Sequence, residues 1–113
     1  MKYMLLIYTD EAVWTESDRQ HCYEESTQLT HELHAKGKYL GASPLQPVSS
    51  ATSVRVRDGK RLITDGPFAE TKEWIAGFDL LECAGLDEAI EIASKHPMAR
   101  FGRIEVRPLW TGD

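Results

Sequence analysis

Ile75-Ala-Gly-Phe-Asp-Leu-Leu-Glu-Cys83 is the stretch that decides the fold. Drawn out as a strand, it is apolar on both faces, as a strand covered from two sides would be. Gly85 then serves as a helix N-cap, with Asp87 and Glu88 favourable in the first turn. Leu86, Ala89, Ile90 and Ala93 follow at helical spacing and form an apolar stripe. Pro97 stops that helix, and Gly102 to Pro108 provides a further strand with Ile104 and Val106 on one face. The C-terminal half is therefore β-α-β.

The same plan lies upstream. Tyr3 to Thr9 is a near-continuous apolar run, a second candidate for a strand buried on both faces. Ser17 and Gln20 have capping-box spacing, and Gly37 marks a helix end. Cys22, Ser26, Leu29 and Leu33 share the core-facing side, with Tyr23, Thr30 and His34 at its margin and His31 pointing away. Tyr39 to Gln46 reads as a second strand. Between the two β-α-β units, Ser53 to Arg57 alternates, Asp58-Gly59 is a hairpin turn, and Arg61 to Thr64 returns.

This order predicts an α+β fold of the ferredoxin-like split β-α-β type with an inserted hairpin, in one domain spanning residues 1–113. Both helices cover the same sheet face. The apolar second face then needs a cover, and a second copy of the chain, sheet against sheet, is the economical one.

Composition narrows the function classes. The chain has 113 residues, 13 Lys+Arg against 18 Asp+Glu, and a net charge of −5. That balance disfavours nucleic acid and anionic membrane surfaces as direct partners. No apolar run approaches the roughly 20 residues of a membrane span. Cys22 and Cys83 lie far apart without a Cys-x-x-Cys pair, which points to reduced thiols and a cytoplasmic setting. Neither cysteine is expected to be a nucleophile, since both fall at core-like positions. No phosphate-binding glycine motif and no metal-ligand spacing is present, so neither a cofactor nor a metal is expected.

The loop Asp65-Gly66-Pro67-Phe68-Ala69-Glu70-Thr71-Lys72-Glu73 is unlike the rest of the chain. Gly66 allows an unusual φ and Pro67 fixes the next one, so the loop can hold side chains in place between two strands. These nine residues resemble the signature of the DGPF group within the YCII-related family. Leu40-Gly41, Leu45-Gln46-Pro47, Leu86-Asp87-Glu88-Ala89-Ile90 and Glu105-Val106-Arg107-Pro108 extend the resemblance in order along the chain. It implies a dimeric α+β barrel of ferredoxin-like protomers. Some relatives are linked or fused to alternative sigma factors, and a few are enzymes that act on small aromatic compounds with a His-Asp pair.

Two functional readings follow, a small-molecule-binding or regulatory homodimer and an enzyme for a small aromatic or carbonyl compound. In the second, Asp65 is the acid-base carboxylate and His34 its imidazole partner. The plainer reading of Asp65 is a turn residue. His21, His31 and His96 read as solvent-facing or terminal. Gly66, Pro67, Phe68, Glu70, Lys72 and Glu73 are the expected ligand-binding loop, with Lys72 as anion binder. Arg107 is expected to face Glu70, Glu73 or an acidic ligand. Tyr8, Trp74, Phe78 and Trp110 read as core or dimer packing, or else as the lining of an aromatic site.

Overall fold

The protein is described here by a computed structural model covering residues 1–67 and 73–110. Phe68, Ala69, Glu70, Thr71 and Lys72 of the signature loop lie outside the described residues, as do positions 111–113. In chain order the elements are β1 (Lys2–Thr9), α1 (Glu16–Ala35), β2 (Tyr39–Pro44), β3 (Thr52–Arg57), β4 (Lys60–Asp65), β5 (Trp74–Glu82), α2 (Leu86–Lys95), α3 (Met98–Phe101) and β6 (Arg103–Pro108). Short 3-10 turns at Glu11–Val13 and Val48–Ser50 precede α1 and β3.

Four strands form an antiparallel sheet in the order β2-β5-β1-β6, and β3 pairs with β4 alone. That is the split β-α-β arrangement with a hairpin inserted between its second and third strands. Strand alternation sends Tyr3, Leu5, Ile7 and Thr9 of β1 toward the helices, where all four are buried. Leu81, Ile104 and Val106 join them opposite Tyr3, Ile7 and Leu5. Leu29 and Leu33 from α1 and Ala89, Ile92 and Ala93 from α2 complete this core. Met4, Leu6, Tyr8, Phe78 and Leu80 line the opposite sheet face and are only half-buried.

Local chemistry sets the element ends. Thr15 caps α1, accepting from the Asp18 N–H at 3.0 Å while Asp18 accepts from the Thr15 N–H at 3.2 Å. The capping box thus starts two residues before Ser17, and Gly37 ends the helix region at φ 71°. Gly85 does cap α2, although Ile92 takes the buried place expected for Ile90, which is 47% exposed with Leu86 at 50%. The helix is apolar on more than one side, so packing against β6 and α3 selected the face, not the residue spacing. Asp58 and Gly59 turn the hairpin with φ of 53° and 73°.

Candidate functional site

A cavity of about 510 Å³ opens between α1 and the sheet. Its floor comes from Ile7 and Thr9 of β1 and Ala76, Gly77 and Asp79 of β5; one wall is a stripe of α1 from Arg19 to His31. Ala42 to Leu45 and Pro47 form the edge nearest the hairpin, and Trp14, Tyr39, Met98 and His96 close the remaining sides. The lining is mainly apolar, and a few polar groups converge in it, which is the usual anatomy of a small-molecule pocket.

Asp79 reaches this cavity because of its register. It sits opposite Leu5 of β1 and Ala42 of β2, two residues from Leu81 and two from Gly77, so alternation turns it to the helix side. Gly77 keeps the neighbouring floor low, since a Cβ there would stand 2.9 Å from the Ser43 carbonyl oxygen. The Asp79 side chain is 15% exposed. Burial pushes its carboxyl up to about 6.

His96 arrives from the opposite layer. It follows the last residue of α2, and Pro97 holds it in extended backbone, φ −71° and ψ 132°, before α3 begins. The break turns its ring inward, to 5% residue exposure. Its Nδ1 accepts the Met98 backbone N–H at 3.1 Å, so the proton of the neutral ring belongs on Nε2. Nε2 stands 3.6 Å from Asp79 Oδ2. Burial pushes the imidazole down to about 4. At neutral pH the pair is a neutral imidazole facing an ionised carboxylate. Their separation exceeds a normal N–H···O bond, so Nε2–H can also serve a ligand oxygen.

Other contacts stiffen the walls. The Trp14 indole N–H donates to Thr9 Oγ1, and its ring packs on Phe101 at 5.3 Å. Glu11 Oε2 accepts from the Val48 N–H at 3.1 Å, tying the connection between β2 and the hairpin to the start of α1. Cys22 is buried and donates its thiol to Met98 Sδ, and burial raises its pKa. Thr27 and Thr30 return their hydroxyl protons to the Tyr23 and Ser26 carbonyls one turn earlier.

The residues expected from sequence fall elsewhere. His34 is exposed on α1, its ring 6.3 Å from that of Tyr39, and Asp65 is exposed at the end of β4. Neither lines the cavity, and no ion pair joins them. Gly66 adopts φ 94°, as the loop reading requires, and its carbonyl accepts from the Ser53 hydroxyl at 2.8 Å. Pro67 is exposed. Glu73 pairs with Arg103 at 3.6 Å, not with Arg107. Arg107 pairs with Glu105 on its own strand, beside the Tyr8–Glu105 contact on the open sheet face. Phe68, Glu70 and Lys72 lie outside the described residues.

His96 corrects the sequence reading most sharply, being neither solvent-facing nor a loose terminus. Two signals point to the pair. Asp79 is a carboxylate in the middle of the otherwise apolar run Ile75 to Leu81, and His96 precedes a proline that breaks one helix from the next. His31, expected to point away, lies on the cavity wall, while Tyr8, Trp74, Phe78 and Trp110 do not.

Fold and site together define a small ferredoxin-like α+β protein with a histidine-carboxylate pair buried in a cavity. The chain belongs to the YCII-related domain family, whose sequence pattern matches residues 1–111. An uncharacterised protein of Rhizobium meliloti is 36% identical over 114 residues, covering 96% of this chain and 92% of the relative. Among solved structures, 5-chloro-2-hydroxyhydroquinone dehydrochlorinase of Burkholderia phenoliruptrix, in complex with 2,5-dihydroxybenzoquinone, superposes with a TM-score of 0.56. It is 15% identical, with 99% of this chain and 96% of that one covered, a likeness of fold. Among the described residues no group of three or more His, Cys, Asp or Glu is placed to hold a metal, and no helix is long and apolar enough to cross a membrane.

Proposed function

We propose that this protein binds a small carbonyl or hydroxyaromatic compound in the cavity and moves a proton on it. The observation that carries the reading is the Asp79 carboxylate, buried and 3.6 Å from a neutral imidazole inside a cavity of about 510 Å³. A carboxylate pushed to about 6 is a competent base near neutral pH. His96, its Nδ1 occupied by the Met98 N–H, donates from Nε2 to the substrate oxygen on which negative charge develops. Asp79 takes the proton from carbon or hydroxyl and returns it to a neighbouring position of the same compound, which is a tautomerisation. The relative of like fold, solved with a small oxygenated ring compound, supports the size and chemical class.

The catalytic roles that sequence assigns to Asp65 and His34 pass in this reading to Asp79 and His96. The assembly is inferred to be a homodimer, with a second copy over Met4, Leu6, Tyr8, Phe78 and Leu80, half-buried in one protomer. Mass in solution should be twice 12.8 kDa. A regulatory module associated with a sigma factor draws on family resemblance alone.

The test is solvent-deuterium exchange into a panel of 1,3-dicarbonyl compounds and dihydroxyaromatics, followed by proton NMR. Wild type should catalyse exchange into at least one class, and Asp79→Asn should lower that rate about 100-fold or more. Exchange that survives in Asp79→Asn and in His96→Gln would remove the pair from the chemistry.

A further inference from the structure

Arg19, the fourth residue of α1, lines the cavity at its solvent-exposed rim and has no ion pair or side-chain hydrogen bond among the described residues. Its situation differs from that of the other arginines outside the hairpin. Arg100 meets Glu25 at 2.7 Å, Arg103 meets Glu73 at 3.6 Å, and Arg107 meets Glu105. Candidate partners are near Arg19 in sequence. Glu16 is one turn earlier and Glu11 shares the cavity, where its Oε2 accepts the Val48 N–H, but neither is within ion-pair range of Arg19. An unpaired guanidinium at the exposed rim of a mainly apolar cavity is a fork for a planar anion entering it.

Its position suits that role. Arg19 stands near the N-terminal end of a helix of 20 residues, where the backbone dipole favours negative charge. Thr27 and Thr30, further along the wall, have already spent their hydroxyl protons on backbone carbonyls, so they do not compete as donors. His31 lies about 18 Å further along the helix axis.

We propose that Arg19 is the specificity-determining residue of the cavity, and that the ligand is a small organic acid whose carboxylate it grips while the carbonyl or hydroxyl end meets His96 and Asp79. The proposal rests on the acid-base reading of that pair. It predicts a preference, for carboxylates over their uncharged amides, that resides in one side chain.

The experiment titrates the full chain with three matched pairs: benzoate and benzamide, 4-hydroxybenzoate and 4-hydroxybenzamide, acetoacetate and acetoacetamide. Affinity and the His96 imidazole resonances are followed by NMR in wild type, Arg19→Gln, Arg19→Lys and, as a charge control on the hairpin, Arg61→Gln. Wild type and Arg61→Gln should bind at least one acid about tenfold tighter than its amide, with His96 shifting. Arg19→Gln should level the pair, and Arg19→Lys should restore part of the preference. Equal affinities in wild type, or a preference that persists in Arg19→Gln, overturn the assignment. If acids and amides bind equally and both shift His96, the cavity reading stands and only the role of Arg19 falls. If no compound shifts His96, both fall.

Discussion

Asp79 and Asp65 are the same residue on consecutive strands of two separate sheets, and their surroundings give them opposite properties. Asp79 sits mid-sheet between Leu5 and Ala42, beneath the helices, and burial raises its pKa to about 6. Asp65 ends a hairpin whose two strands are largely open to solvent, Val54, Val56 and Ile63 included. Its side chain makes no hydrogen bond or ion pair among the described residues. A two-stranded ribbon has one neighbour per strand and no second layer, so it cannot desolvate a carboxylate. A four-stranded sheet under two helices can. Desolvation here belongs to the layer, not to the residue type.

The largest test of that contrast is pH. Asp79 holds its proton more tightly folded than unfolded, so its contribution to stability is full below about 3.8 and is lost as pH rises through about 6. His96 behaves oppositely. Its folded pKa lies near 4, so its stability is full above about 6.5 and is lost as pH falls through about 4. Each corresponds to about 3 kcal/mol, and between these values they offset one another. Asp79→Asn should therefore unmask the histidine, with stability dropping as pH falls from 6.5 toward 4. His96→Gln should unmask the acid, with stability falling as pH rises from about 4 to 6. Urea denaturation at stepped pH reads both slopes; slopes of the same sign in the two variants would break the comparison.

Glycine substitutions give the next largest effects. Gly77→Ala in the cavity floor places a methyl 2.9 Å from the Ser43 carbonyl oxygen, and backbone must move, at a cost of about 1–3 kcal/mol. Gly59→Ala in the hairpin turn meets no atom within 4 Å but forces φ 73° on a side-chain-bearing residue. That should cost about 1 kcal/mol, all of it conformational. Equal losses on denaturation would mean the hairpin is as tightly packed as the sheet.

The smallest effect separates the two aspartates directly. Asp65→Asn should leave stability within about 0.5 kcal/mol of wild type, measured by thermal unfolding. A loss several times larger would show that Asp65 anchors the signature loop and would return that loop to the centre of the site.

Much of the fold is legible in the residues. Alternation in Ser53–Arg57 and the Asp58-Gly59 turn mark the hairpin, and the apolar runs Tyr3–Thr9 and Ile75–Cys83 become the two central strands. Helix faces are less legible where a helix is apolar on more than one side. Ile92, not Ile90, is buried because α2 rotates to meet its neighbours. The site is least legible of all. Asp79 is hidden in an apolar run, and His96 next to Pro97 reads as a helix end.

The sequence by itself determined the element order, the hairpin and the family, because backbone sterics, turn chemistry and hydrophobic period act between near neighbours. Only the tertiary structure decided the site. Asp79 becomes a largely buried carboxylate and His96 a neutral imidazole with its proton on Nε2 when strand β5 and the break between α2 and α3 meet beside the cavity. Desolvation and proton placement are properties of that meeting, between residues that the chain holds far apart until it folds.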